Sequence, residues 1–418
     1  MGWDSLRINP EKNPRHKRRA VATPDTNLLR WAAGGEVLSR GEALRLLRSP
    51  NAPLAELAEA ARELRSRSKG RTVTYSPKVF LPLTNLCRDR CRYCTFRRDP
   101  GEAGAHWMEP EEVLAVARAG EALGCREALL SLGDRPEAEF PEAREWLAQR
   151  GFRRTLDYVA WISEMLLEET TLLPHANPGL MARGDLARLR ESNASLGLML
   201  ESTATNLFAP GGAHEGAVDK LPERRLRTIR EAGELRIPFT TGILVGIGET
   251  DEDVIDSLVA IRELHECTGH IQEVIVQNFV PKPEIPMRDR PGPEPQSFAR
   301  IVAVARLVLG AKMNLQAPPN LSPGNLELLL DCGINDWGGV SPLTPDFINP
   351  EAPWPEVERL RAVTRSKGLE LRERFAVYPE YAVDARWHSE RVGRRLRELG
   401  DAEGYPGRRS QEAGVGSQ

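Results

Sequence analysis

The 418-residue chain predicts an α/β protein built on a (β/α)8 TIM-type barrel, with a short helical extension at its N-terminal side. Two observations carry this. From Val79 onward, eight short apolar runs alternate with amphipathic stretches of helical period. The residues with distinctive chemistry then fall at or just after the C-terminal ends of those runs, where barrel enzymes place their sites. An open doubly wound sheet would use the same alternation, but its usual phosphate-loop signals are absent.

Residues 1–35 read as a flexible basic arm: MGWDSLRINPEKNPRHKRRA is cationic and lacks the apolar core of a secretory signal. Residues 36–76 form the helical extension, with apolar residues three and four apart in EVLSRGEALRLLRS and APLAELAEAARELRSRS, divided at Asn51 and Pro53. The barrel occupies 77–390. Its expected strands are VFLPLTN (79–85), REALLSL (126–132), TLLPHA (171–176), SLGLMLE (195–201), PFTTGILVG (238–246), QEVIVQNF (272–279), MNLQAP (313–318) and INDWGG (334–339). The helices between them include PEEVLAVARAGEALG, TLDYVAWISEMLLEE, PERRLRTIREAGEL, DEDVIDSLVAIRELHEC and PQSFARIVAVARLVLG. Residues 391–418 are a C-terminal tail whose end, GYPGRRSQEAGVGSQ, is rich in Gly and Ser.

With 40% hydrophobic and 28% charged residues, the chain can bury a sizeable core and stay in solution. A formal charge of −3 gives no electrostatic reason to expect nucleic acid. No apolar stretch approaches the ~18 residues of a membrane span. Six cysteines at this length do not make a disulfide framework, and a thiolate centre suits a reducing compartment, so the expected location is the cytoplasm.

The most informative feature is Cys87, Cys91 and Cys94, spaced C-x3-C-x2-C directly after the first expected strand. Thiolates suit iron–sulfur centres, and a cubane takes four ligands, so a loop offering three leaves one iron open for chemistry. A structural Cys3His zinc site with His106 as fourth ligand, in a binding module without catalysis, is the competing reading. Cys125, Cys267 and Cys332 lie at no ligand spacing and read as ordinary small apolar residues. The cysteine spacing resembles that of the radical S-adenosylmethionine (SAM) enzymes, which implies a [4Fe–4S] cluster whose free iron binds SAM.

That resemblance gives roles to other strand ends. Gly133 and Asp134 in LLSLGDRPE are similar to the family's GGE segment and imply a partner for the SAM amino group, although a Gly-Asp pair is otherwise an ordinary turn. Glu201 and Ser202 end the fourth strand, where a carboxylate can accept both hydroxyls of a ribose. Arg225 offers a guanidinium fork to the SAM carboxylate. Gly246 belongs to a G-x-I-x-G-x-x-E-like segment ending at Glu249, which reads as a loop or helix cap. Tyr93 can place its ring against adenine.

The segments LTNLCRDRCRYCTFRRDPGE, LSLGDRPE, LPHANPG, LMLEST, FTTGILVGIGET, VIVQNF and NDWGGVSPLT together resemble the cyclising subunit of 7,8-didemethyl-8-hydroxy-5-deazariboflavin (FO) synthases. The likeness runs from about Pro77 to Glu390 and leaves the N-terminal segment through Gly70 outside it. It implies a radical lyase. A 5′-deoxyadenosyl radical takes hydrogen from the benzyl carbon of 5-amino-5-(4-hydroxybenzyl)-6-(D-ribitylimino)-5,6-dihydrouracil; ring closure, ammonia loss and oxidation then give FO. The implied partners are that small-molecule substrate, the companion tyrosine-coupling radical SAM subunit, and a ferredoxin- or flavodoxin-type electron donor. The companion subunit, aminofutalosine-pathway enzymes and hydrogenase-maturation relatives keep the chemistry with other substrates and stand as alternatives. Substrate contacts are expected from Asn177, Thr240, Thr241, Gln277, Asn278, Asn335 and Trp337, with Asp336 or His175 moving protons as ammonia leaves. Each could instead satisfy barrel backbone, and a buried tryptophan is commonly packing.

Overall fold

The computed structural model describes residues 24–407. Eight parallel strands follow one another around a ring: β1 (Thr72–Pro82), β2 (Glu127–Ser131), β3 (Leu173–Asn177), β4 (Ser195–Gly197), β5 (Phe239–Val245), β6 (Ile271–Asn278), β7 (Leu315–Gln316) and β8 (Asp336–Val340). The ring closes because β1 pairs with β8 through Thr74, Ser76 and Pro77 and with β2 through Lys78 to Pro82. A ninth strand, β9 (Glu370–Glu373), pairs outside the ring with the first four residues of β1. All eight expected strands form, within a few residues of their expected ends except at β1.

Before the ring come α1 (Asp25–Ala33), α2 (Arg40–Arg48) and α3 (Leu54–Lys69). Around it run α4 (Pro110–Ala122), α5 (Pro141–Gln149), α6 (Thr155–Glu169), α7 (Arg183–Arg190), α8 (Pro222–Glu234), α9 (Asp251–Thr268), α10 (Pro295–Leu309) and α11 (Leu326–Asp331). The chain ends through α12 (Val357–Ser366), α13 (Pro379–Ala382) and α14 (Glu390–Leu399). Among these described helices none is long and apolar enough to cross a membrane.

The first three helices lie on the barrel wall rather than apart from it. Helix α3 packs across α10, which explains why SFARIVAVARLVL is buried along nearly its whole length. Arg300 of α10 donates to the carbonyls of Leu46 and Leu47 (both 2.6 Å), Ser49 and Ala52 (both 2.7 Å), capping acceptors that the end of α2 leaves open. Three expectations need correction here. The arm expected over 1–35 lies outside the described residues up to 23, but Asp25–Ala33 is helical, anchored by buried Leu28, Leu29 and Ala32. β1 starts at Thr72, inside the expected helical extension, because β9 gives its first half a partner. In the expected tail, α14 buries Val392 and Leu396 against the barrel base, and residues beyond 407 are not described.

The base is plugged by the segment after β9. Ser195 Oγ and Gln272 Nε2 both donate to the Ala376 carbonyl (2.8 and 3.2 Å), and the Tyr378 amide donates to Gln272 Oε1. Arg374 points up into the lumen between Asp336 and Glu273. With the bottom closed, the C-terminal ends of the strands form the accessible mouth.

Candidate active site

Beyond β1 the chain from Thr84 to Trp107 folds over the mouth, pinned by bridges between Thr84 and Trp107 and between Leu86 and Arg98. Cys87, Cys91 and Cys94 all line a single cavity of about 370 Å³ above the strands. The Asp134 amide donates to Cys87 Sγ (3.2 Å), and the amides of Arg90 and Arg92 donate to Gly216 O and Ala213 O (3.1 and 2.9 Å). Gly133 lets β2 approach this loop: a Cβ there would sit 1.9 Å from the Leu86 carbonyl oxygen. A larger outer cleft of about 610 Å³ between α6, α7 and α8 contains no thiol, so its size does not make it the reactive site.

The donor set fits an iron–sulfur cluster and not a single zinc. Ligand sulfurs around one tetrahedral zinc lie ~3.8 Å apart. Among the described residues, the one His, Cys, Asp or Glu trio with all ligand atoms within 4.8 Å is Asp89, Asp134 and Asp219, so the three sulfurs are spread more widely. His106, half exposed, pairs with Glu112 at 3.0 Å and does not line the cavity. The Cys3His reading has no fourth ligand in place.

Of the residues expected to face SAM, Tyr93, Gly133, Asp134, Glu201 and Arg225 line the cavity. Burial and neighbouring Asp219 push the Asp134 carboxyl up to about 7. Glu201 holds a left-handed backbone (φ 66°), which a non-glycine residue adopts only under constraint, and its carboxylate pairs with Lys220 at 2.5 Å. The Arg225 Nε donates to Asp219 O (3.0 Å) and its Nη1 to Met199 O, so the guanidinium is braced by backbone. Tyr93 OH meets His214 Nε2 at 3.2 Å. Ser202 and Gly246 do not line the cavity. Ser202 Oγ accepts from the Ala204 amide, and Gly246 serves the loop, donating its amide to Glu249 at 2.6 Å. Glu249 also accepts from Ile247 and Gly248 (both 2.9 Å), as a loop clamp.

Deeper in the mouth, His175, Asn177, Thr240, Gln277 and Asn278 line the same cavity. Ser195 donates its one hydroxyl proton to Ala376 O, so it must accept from His175 Nδ1–H (2.7 Å). That fixes the tautomer: Nε2 keeps its lone pair. Burial pulls the imidazole down to about 4, so it is neutral near pH 7 and acts as an acceptor.

Four expected substrate or catalytic residues are elsewhere. Thr241 alternates outward and accepts from the Leu200 amide. Asn335 ties β7 to β8 at the base, accepting from Arg306 (2.7 Å) and the Leu315 amide (2.9 Å). Asp336 begins β8 instead of ending it. Its carboxylate is engaged by Arg374 (2.7 and 2.9 Å), Thr74 and the Gly338 amide, with no exposure. Trp337 is wholly buried against Thr364.

Sequence reasoning missed several charged residues that do line the cavity, among them Lys78, Lys220, Glu273 and Lys282. Lys78 pairs with Glu127 at 2.8 Å; Glu273 accepts from Arg374 and Tyr378 (2.9 and 3.0 Å). Strand parity could have found Glu273, which is four residues before Gln277 and so on the same face. The Gly338-Gly339 pair also has a role there: a Cβ would fall 2.0 Å from Gln316 Nε2 or 2.1 Å from Lys78 Cε, so both glycines make room for side chains that line the cavity.

A closed barrel with three thiols over its mouth is the architecture of a radical SAM protein, and the family model for the Radical SAM superfamily matches residues 81–261. FO synthase of Nocardia farcinica is 49% identical over 385 residues, covering 89% of this chain and 44% of that protein. The 7,8-didemethyl-8-hydroxy-5-deazariboflavin synthase of Methanopyrus kandleri is 48% identical over 333 residues, covering 80% of this chain and 99% of the relative. The chain therefore belongs to the FO synthase family of the radical SAM superfamily. It spans under half the length of the Nocardia protein. Among solved structures, a maturase of the [FeFe]-hydrogenase shares the fold with a TM-score of 0.69 at 18% identity, over 84% of this chain and 77% of that one. Superfamily membership brings a [4Fe–4S] cluster and SAM as cofactors.

Proposed function

We propose that the chain performs the cyclising half of FO synthesis. It would convert 5-amino-5-(4-hydroxybenzyl)-6-(D-ribitylimino)-5,6-dihydrouracil to FO with release of ammonia, as a lyase. The observation that carries this is one cavity, closed below, with three thiols on its roof and neutral or paired polar groups on its floor. When bound, the cluster and SAM supply a 5′-deoxyadenosyl radical that takes hydrogen from the benzyl carbon.

Cys87, Cys91 and Cys94 would hold the cluster, and Asp134, Glu201, Arg225 and Tyr93 would orient SAM. The Asn177, Gln277 and Asn278 amides and the His175 Nε2 lone pair match the alternating donors and acceptors of a dihydrouracil. The plugged base keeps bulk water from entering below. Of the two residues expected to move protons, His175 lines the cavity and would offer its Nε2 lone pair as an acceptor as ammonia departs, whereas Asp336 does not line it and is fully engaged. The companion tyrosine-coupling enzyme would supply the substrate, and a ferredoxin- or flavodoxin-type protein the electron.

The test is turnover by anaerobically reconstituted, reduced enzyme with SAM and this substrate. Stoichiometric deoxyadenosine, methionine and ammonia with fluorescent FO are expected. Deoxyadenosine formed with tyrosine and a ribityl-diaminouracil, and none with the dihydrouracil, would assign the companion reaction instead.

A further inference from the structure

Lys282 lies on the loop after β6, between two exposed prolines, Pro281 and Pro283, whose fixed φ angles stiffen the turn. Its neighbours face outward, whereas its own side chain is turned in, 4% exposed, and lines the reactive cavity. Every other lysine of this cavity has a carboxylate partner: Lys78 has Glu127 and Lys220 has Glu201. The Lys282 Nζ makes no ion pair or hydrogen bond among the described residues, while its carbonyl accepts from the Ile285 amide (3.4 Å). The groups that favour its charge are Glu351, exposed on the loop after β8, Asp346 and the thiol of Cys94. Asp346 is already engaged by the amides of Ile348 and Asn349 and by the side chains of Asn320 and Asn349, at 2.9 to 3.1 Å.

The Nζ opens onto the cavity, so an acceptor on a bound ligand can reach it in place of water. The surroundings restrict what that ligand is. The cavity is also lined by Phe80 and Trp354, stacked at 5.1 Å with 15° between their planes, and by Phe347, Pro318 and Leu321. Such a wall takes a flat apolar ring, and the amine takes one acidic or acceptor oxygen on it. The amide-bearing floor suits the heterocycle and not the phenyl ring.

Resting on the function proposed above, we infer that Lys282 is a specificity residue that binds the hydroxyl of the 4-hydroxybenzyl group, with the ring against Phe80 and Trp354. Either protonation state serves: an ammonium pairs with a phenolate, and a free amine accepts from a phenol O–H. Burial pushes the amine below the usual lysine range, which brings the two states closer. With the oxygen held, the benzyl carbon para to it is fixed one ring away, which sets the carbon that loses hydrogen.

The test compares the hydroxybenzyl substrate with its benzyl analogue lacking the hydroxyl, in cluster-loaded wild-type enzyme, Lys282→Met and Lys282→Arg. Binding of each compound, SAM affinity and iron content are measured alongside FO formation. Wild type should bind the hydroxylated compound about 10- to 100-fold more tightly, as expected for a hydrogen bond to a charged group. Lys282→Met should lose that preference with iron content and SAM affinity unchanged, and Lys282→Arg should retain most of it. Equal binding of both compounds by wild type would overturn the inference without any variant. So would a Lys282→Met enzyme that loses SAM affinity instead, since the amine would then belong to SAM. Absence of FO from wild type with the hydroxylated substrate would instead count against the parent reading of function.

Discussion

Gly133→Ala tests how closely the thiol loop is fitted to the barrel. The added Cβ would sit 1.9 Å from Leu86 O, 2.6 Å from Leu86 C and 2.7 Å from Cys87 Cβ. Ordinary van der Waals contact starts near 3.4 Å, so the loop must retreat by 3.4 − 1.9 = 1.5 Å at the carbonyl. The obstruction is backbone, which has no rotamer to escape into. Two hydrogen bonds are in the path, Gly133 N–H to Thr84 O (2.9 Å) and Asp134 N–H to Cys87 Sγ (3.2 Å). Overpacking of this kind costs about 1–3 kcal/mol, which a barrel of this size survives. A reactive group displaced by about 1 Å loses on the order of 100-fold in rate. The variant should therefore fold, take up less iron on anaerobic reconstitution, and form FO about 100-fold more slowly. Gly184→Ala, in α7 with open space around its Cβ position, is the control and should be neutral or slightly stabilising. A folded Gly133→Ala enzyme with wild-type iron content and turnover would refute the reasoning.

The base gives a stability prediction. Arg374→Met leaves Asp336 and Glu273 buried without their cation and should cost about 3–5 kcal/mol in urea unfolding; a loss below about 1 kcal/mol would show the carboxylates are satisfied otherwise. Arg225→Ala should weaken SAM binding by about 10-fold or more at unchanged iron content, read by equilibrium binding to the loaded enzyme, and equal affinity would remove Arg225 from the SAM site. Acid sensitivity should include His270, whose imidazole burial pulls down to about 3. Below about pH 6.5 the unfolded chain takes up a proton that the folded one refuses, so stability falls as pH drops from about 6.5 towards 3. The loss is on the order of 4 kcal/mol over that window. His270→Gln should flatten urea-derived stability against pH by one proton there, and an unchanged slope would exclude His270 as a source.

The roof of the site was legible in the sequence and its floor only in part, for a physical reason. Loops over a barrel mouth hold reactive groups by spacing, and C-x3-C-x2-C stands out because no packing requirement explains three thiols there, whereas Gly133 is needed for the close approach of the loop. Inside the lumen, position is set by strand register, and a strand begun at the wrong residue moves a side chain to another layer or to the outer face. N-D-W-G-G reads equally well as the end of a strand or as its beginning. The tertiary pairing of Gln316 with Asp336 starts β8 there, which places Asp336 at the base and its glycines at the cavity. Arg374 carries no local signal at all, since it enters the lumen from a segment outside the ring.

The same register logic explains why charge is tolerated so deep. Lys78, Glu127, Glu273, Asp336 and Arg374 project into the lower lumen from four strands and the segment after β9, and every carboxylate among them has a cation within 3 Å. Removing one partner should be far more damaging than replacing a pair with apolar residues, because what is costly is the unmatched charge. The layer above it has neutral His175, Thr240 and the amides of Asn177 and Gln277. A polar substrate can therefore bind on matched neutral groups without competing with the ionic network. In that arrangement Lys282 is the exception, an amine of the cavity with no carboxylate paired to it.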